Sequence, residues 1–449
     1  MKTLKTTPWS LDHPKDVVYL ALGSAIGIGN FYFIPPAVLN SGGLAFLTIH
    51  ALGLVFLGGV LLLAELIWAR WLQRPYVESF KTLGDRFSLI PFISLLAAGI
   101  VTPPYLVELG RLLFLGVTLL THSGFIPAGQ KAQLDHLRLQ SYVGALSVFL
   151  LASGILLLPT RKIVQFYKVA LSFCFVSWIV LSIVILRTWG RGGLRTLLVW
   201  DMQNLSSQAL LDGLAFSLFT LSAGFGVIYT FMHYASMPSR SPAAIQESYW
   251  KRPGRLLSIA FWVVVGDFCT SLFSIVFVSP FAGSTASLNE ATLQGPSLIL
   301  DWLPQILSRI SMWGPLWVGL LVFSLLLSGF CAALSLLDFE IYSMERDLRW
   351  SRIRAVLHVL VFGSFVLLLP TSPAIEKWMN QFGSDVLLPC SALAIALFVG
   401  WRMPEKSQRS LLGRSLGLDA FVRSWRFSLR YIVPGLLLYF LWQSARQLL

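Results

Sequence analysis

Eleven long apolar runs divide the chain and set the terms for any fold it adopts. They lie at roughly 17–40, 44–69, 90–120, 141–158, 164–186, 208–232, 257–281, 313–342, 354–370, 380–401 and 427–445. A helix needs about 20 apolar residues to cross a bilayer, whereas the strands of a membrane barrel are shorter and alternate in polarity. The runs therefore predict an all-α transmembrane protein of about eleven spanning helices. A soluble domain has no means of hiding 56% hydrophobic residues with 12% charged ones, which excludes that class.

The net charge of +13 invites comparison with nucleic-acid binders, but its distribution argues otherwise. With the N-terminus cytoplasmic, 25 of the 34 Lys and Arg fall on the cytoplasmic side. That asymmetry is the positive-inside rule, and it places the N-terminus inside and the C-terminus outside. The basic runs are then anchors at lipid headgroups, and no nucleic-acid partner is expected. No cleavable leader is expected, since the first apolar run is long and lacks a small-residue cleavage site. The four cysteines, Cys174, Cys269, Cys331 and Cys390, all sit within predicted spans and read as packing residues rather than a disulfide framework. None of the connecting segments is large enough for a separate domain, so residues 1–449 read as a single transmembrane unit.

Two of the spans contain their own helix breakers. Residues 24–30 read "SAIGIGN" and residues 222–228 read "SAGFGVI". Each places Ser-Ala and Gly-x-Gly inside the first span of a five-helix block. If 17–186 forms one block and 208–401 the other, the second enters from the opposite face and the repeat is inverted, leaving 427–445 as an added eleventh span. Paired breaks in matching positions are the sequence mark of a transporter site at the bilayer midplane. Unwound backbone leaves polar groups unpaired at several kcal/mol each in hydrocarbon, so it persists where it lines a polar cavity. Free N–H groups at a half-helix start favour a carboxylate, and free carbonyls favour a cation. Gly27, Gly29, Gly224 and Gly226 are read as the residues that permit the unwinding. Close packing of small residues is the plainer alternative. Asn30, Thr220 and Ser222 stand beside the breaks. Asp267 lies inside the seventh run, where a carboxylate is costly without a partner. Glu65 is read as an acceptor for freed backbone amides.

The segments "GSAIGIGNFYFIPPAVLNSGGLAF", "AELIWAR", "FTLSAGFG" and "LRYIVP" together resemble the neurotransmitter:sodium symporter family, in order and along nearly the whole chain. The resemblance implies the LeuT-like 5+5 inverted repeat with unwound first and sixth helices, and sodium-driven import of an amino acid by alternating access. It implies a substrate pocket of Ser24, Ala25, Gly27, Gly29, Tyr105, Phe219, Thr220, Ser222, Phe225, Ala332 and Leu336. It implies a first sodium site at Ala25, Asn30, Thr220 and Asp267. Because position 24 is Ser rather than Asp, a substrate carrying its own carboxylate is expected, and no organic cofactor. A bacterial plasma membrane is the expected location, with lipid around the helices.

The departures matter as much. In "LLLSGFCAALSLLDFE", Cys331 and Ala332 stand where the family's second sodium site has hydroxyls. Backbone carbonyls near Gly23, Ile26 and Ser328 remain, with the Ser328 hydroxyl, so the second site is expected to be weak or lost. At the outer gate Phe33 and Asn380 replace an ion pair, which predicts an apolar gate of Phe33, Phe219 and Tyr105. His50 and Phe216 occupy positions of the chloride site, where Ser271 remains. One sodium facing Asp267 and a substrate carboxylate leaves a net negative charge, so a proton on Asp267 is the alternative coupling. Glu108 and Arg111 share a helix face and are expected to pair. Asp338 and Glu340 are expected at the cytoplasmic exit or against Lys5 or Lys15, with Trp9 as a plug. A ligand-sensing transceptor of the same fold is the rival function. An enzyme is not expected, because the chain lacks a His-Glu-x-x-His motif and its six histidines are scattered.

Overall fold

The computed structural model describes residues 11, 13–82, 84, 87–121, 137–236, 254–282, 303–308, 310, 312–413 and 416–448. Nearly everything described is helical, and the β-contact among these residues is an isolated bridge between Gly43 and Trp200. The main helices are α1 (Pro14–Ala25), α2 (Gly29–Asn40), α3 (Leu44–Leu72), α4 (Ile90–Thr121) and α5 (Leu137–Leu156). They continue as α6 (Thr160–Trp189), α7 (Ser207–Thr220), α8 (Val227–Ser236), α9 (Arg255–Ala282) and α10 (Gly314–Asp347). The chain closes with α11 (Arg352–Val366), α12 (Pro373–Arg402), α13 (Leu416–Phe427) and α14 (Val433–Leu448).

The first apolar run is broken. α1 and α2 meet at 56°. The α1 ladder stops at Ile26, with φ −84° and ψ 88°, and the Gly27 N–H turns back to the Ala25 carbonyl at 3.1 Å. The sixth run divides in the same way between α7 and α8. Here Ser222, Gly224 and Gly226 carry φ of 51°, 97° and 88°. Gly224 is doubly required, because a Cβ would also stand 2.9 Å from the Ala392 Cβ. The first break differs from the expectation. Neither Gly27 nor Gly29 adopts positive φ, and Gly29 opens α2. Gly27 instead makes room, since a Cβ there would lie 2.6 Å from the Tyr105 hydroxyl.

Among the described residues, six helices are long and apolar enough to span a membrane unaided, or seven with α1 and α2 taken as one bent span. The other runs are met by shorter or divided helices. Several boundaries move. The run expected at 380–401 belongs to a helix that begins at Pro373, and the last run starts earlier, at Leu416, passing through a π-helical turn at Ser428–Ile432. Similar π turns interrupt α3 at Leu54–Gly58 and α12 at Phe382–Leu387 and Phe398–Arg402. α10 forms the centre of the bundle, with 78% of its apolar window buried, which is why it reads apolar all round. Phe56, Leu151, Val169 and Phe362 face outward on other helices.

Candidate functional site

The two breaks open on one cavity. It brings together all eleven residues expected to touch substrate, from Ser24, Ala25, Gly27 and Gly29 on one broken span to Thr220, Ser222 and Phe225 on the other. Tyr105 enters from α4, and Ala332 and Leu336 from α10. The sequence reading missed Val101 and Phe216 as lining residues. Val101 lies one helical turn before Tyr105, so the four-residue spacing carried that signal. Phe216 precedes Thr220 by the same interval.

The polar end of this cavity is a dense cluster of oxygens. Thr220 Oγ1 lies 2.6 Å from Asn30 Oδ1, 2.8 Å from Asp267 Oδ1 and 3.5 Å from the Ala25 carbonyl oxygen. Asn30 Nδ2 donates to Asp267 Oδ1 at 2.9 Å. Asp267 is fully buried, and its Oδ2 has no hydrogen-bond partner among the described residues. A threonine hydroxyl carries one hydrogen, yet this one faces three acceptors. One short oxygen–oxygen contact therefore requires a proton on Asp267 or a cation between the oxygens. The all-oxygen donor set, with a buried carboxylate to balance the charge, fits a hard monovalent cation. Ser271 Oγ sits at the edge of the cluster, 3.4 Å from His50 Nε2, and His50 is fully buried.

The second expected cation set does not form a comparable cluster. The Ser328 hydroxyl donates to the Leu325 carbonyl of its own helix at 3.0 Å, which leaves its lone pairs as the single side-chain oxygen donor of this set. Gly23 faces the ring of Tyr167 instead, and a Cβ there would lie 2.3 Å from that ring. Ile26 is the residue at which α1 ends.

The second break is held by side chains of its neighbours. Glu65 accepts hydrogen bonds from the N–H groups of Gly224 and Tyr229, one on each carboxylate oxygen. The Ser391 hydroxyl donates to the Gly224 carbonyl, and Ser391 is in turn bonded to Ser94. The Ser222 hydroxyl donates to the Ser24 carbonyl at 2.9 Å, joining one break to the other. Ser24 lines the cavity, but its own hydroxyl is directed to the Ala21 carbonyl.

Of the three residues expected at the gate, Phe219 and Tyr105 line the cavity, and Phe33 stacks on Phe216, another lining residue, with centroids 4.3 Å apart. Asn380 is exposed, and its carbonyl accepts from Ser384. The neighbouring turn supplies a charged contact instead: Arg111 pairs with Glu108 on α4 and with Glu376 on α12 at 3.1 Å. Asp338 also departs from its expected role. Arg352 holds it, and the same guanidinium donates to Tyr234, Glu345 and the Leu156 carbonyl. Residue 352 follows the α10–α11 turn, so it reaches Asp338 more readily than any N-terminal lysine. Glu340 Oε1 is buried near Gly99 without a hydrogen-bond partner among the described residues. Lys5 and Trp9 lie outside the described residues.

No family model matches the chain. Curated relatives do match it along most of its length. YhdH of Bacillus subtilis, named as an uncharacterized sodium-dependent transporter, is 25% identical over 93% of both chains. A Haemophilus influenzae protein bearing the same description is 21% identical over 94% of both. A Methanocaldococcus jannaschii relative, again an uncharacterized sodium-dependent transporter, is 23% identical over 86% of this chain and 82% of its own. Among solved structures, MhsT in complex with L-phenylalanine superposes with a TM-score of 0.81 at 23% identity, covering 96% of this chain and 98% of that one. Along nearly its whole length the chain is thus similar to sodium-dependent transporters, and it shares the fold of MhsT.

Proposed function

We propose that the chain is a sodium-coupled secondary transporter that carries an amino acid by alternating access. The observation that carries this reading is the meeting of two broken helices at one buried cavity with an oxygen cluster at its end. The start of α2 offers backbone N–H groups to a substrate carboxylate, near Gly29 and the Tyr105 hydroxyl. Val101, Phe216, Phe219, Phe225, Ala332 and Leu336 form the apolar wall for the side chain. MhsT, which has a similar fold, was crystallised in complex with L-phenylalanine, and this supports an amino acid with an apolar side chain.

Ala25, Asn30, Thr220 and Asp267 hold the sodium ion in this reading. When bound, the ion supplies positive charge between Asp267 and the substrate carboxylate. Asn30 orients Asp267 through its amide, and Thr220 bridges the two broken spans. Glu65 and Ser391 hold the unwound backbone in place while the cavity exchanges its exposure. The Arg111–Glu376 pair ties α12 to α4, the helix from which Tyr105 enters the cavity. The N-terminus is assigned to the cytoplasm, the C-terminus to the exterior, and the apolar outer faces to lipid of a bacterial plasma membrane.

Uptake of labelled amino acids into proteoliposomes tests the reading. Accumulation above the external concentration under an inward sodium gradient supports it. Accumulation under a proton gradient alone assigns coupling to protonation of Asp267. Tight binding without accumulation under any gradient rejects transport in favour of a ligand sensor.

A further inference from the structure

Tyr167 occupies an unusual place. It projects from α6, is 1% exposed, and lays its ring directly on the backbone of Gly23 in α1. A Cβ at Gly23 would stand 2.3 Å from the ring Cδ1 and 3.5 Å from the Cys331 Cβ of α10. The tyrosine hydroxyl donates to the Cys331 carbonyl at 2.8 Å and lies 2.8 Å from Ser335 Oγ. The next residue, Lys168, bonds Asp16 at 2.7 Å, fastening α6 to α1 a second time. Three helices are thus joined at the place where the resemblance puts a second sodium ion between α1 and α10.

Side-chain oxygens for such an ion are too few there. Cys331 offers a thiol and Ala332 a methyl group, which leaves the lone pairs of the Ser328 hydroxyl as the single side-chain donor of the expected set. A hard cation requires a cage of oxygens. We propose that Tyr167 takes the place of the second sodium: its ring fills the space beside Gly23 and its hydroxyl supplies the link to α10. The proposal rests on the transporter reading above and gives it a stoichiometry of one sodium per transport cycle. The join between α1 and α10 is then permanent in composition and insensitive to sodium.

Binding of radioactive sodium to the purified full-length protein, counted per chain at saturation, tests this. Wild type is expected to bind one ion. Tyr167→Ala combined with Cys331→Thr and Ala332→Ser reopens the space and restores hydroxyls, and is expected to bind one ion more than wild type. Cys331→Thr with Ala332→Ser, keeping Tyr167, is expected to gain none. A second ion in wild type, a gained ion with Tyr167 in place, or a folded triple variant without a gain overturns the proposal. Asp267→Asn, placed in each background, reads the other site independently: it is expected to remove one ion from each. Loss of no ion on that substitution rejects the first cation site, and the difference of one ion between the triple and the double variant then reads the space held by Tyr167 by itself. Should the triple variant fail to fold, the wild-type count and the double variant still decide the matter.

Discussion

The Arg111 guanidinium lies 3.1 Å from the carboxylate of Glu376, a residue 265 positions away, and this pair joins α12 to α4, the helix that carries Tyr105. Glu108 holds the same guanidinium from one turn earlier. The pair is half-buried rather than exposed, with Arg111 at 32% and Glu376 at 14% side-chain exposure, so solvent screens it in part.

Removing the arginine leaves two carboxylates facing each other, whereas removing one carboxylate leaves the arginine with a partner. Arg111→Met is therefore expected to speed substrate release more than Glu376→Gln does. A contribution of about 1 kcal/mol from the cross-helix contact corresponds to roughly fivefold in the dissociation rate. Dissociation of labelled ligand from purified protein measures it, and equal rates in wild type and Arg111→Met would disprove the tie.

Glu65 serves two amides of the unwound segment. Glu65→Ala leaves the Gly224 and Tyr229 N–H groups buried and unpaired, at about 1–3 kcal/mol each. The variant is expected to unfold at distinctly lower temperature in detergent than wild type. Glu65→Gln retains one acceptor oxygen and is expected to fall between them. A melting curve for the alanine variant that overlays wild type would show that these bonds do not hold the break.

In the proposed transporter, protons and sodium compete for the Asp267 carboxylate. Sodium binding needs the ionised form, so affinity is expected to fall as pH falls, approaching about tenfold per pH unit once protonation dominates. His50 reaches the cluster through Ser271 and is the other titratable group facing it. Sodium titrations across pH in wild type, Asp267→Asn and His50→Gln separate the two contributions. The first variant is expected to bind no sodium at any pH, and the second to keep the wild-type pH dependence.

The Arg352–Asp338 contact is a buried pair with additional ligands from Tyr234, Glu345 and the Leu156 carbonyl. Breaking such a pair on one side costs about 3–5 kcal/mol, because the remaining charge stays buried. Arg352→Met is thus expected to destabilise strongly, and Arg352→Met with Asp338→Leu much less. Thermal unfolding of the single and double variants checks the ordering.

The breaks are legible in the sequence because glycine pairs within apolar runs contradict a continuous helix. Their surroundings are legible to the extent that spacing carries them: Glu108 and Arg111 sit on one face by the helical repeat. Glu376 is not, because nothing local links it to Arg111. For Asp338 the sequence offers lysines at the N-terminus, while its partner lies just past the turn that follows α10. The π turns escape notice because one extra residue in a turn leaves an all-apolar run unchanged in pattern. Likeness alone puts Phe33 at a gate, and its stacking on Phe216 depends on a bend that composition does not show. Tyr167 carries no signal at all, since an aromatic residue in an apolar helix is ordinary until its neighbour proves to be Gly23.

The hydrogen bond from the Ser222 hydroxyl to the Ser24 carbonyl has a mechanical consequence. It acts as a crossbar between the hinges of two bent rods, so neither hinge swings without either dragging the other or severing that one link. In the proposed transporter, movement at one hinge is thereby tied to movement at the other before any guest arrives.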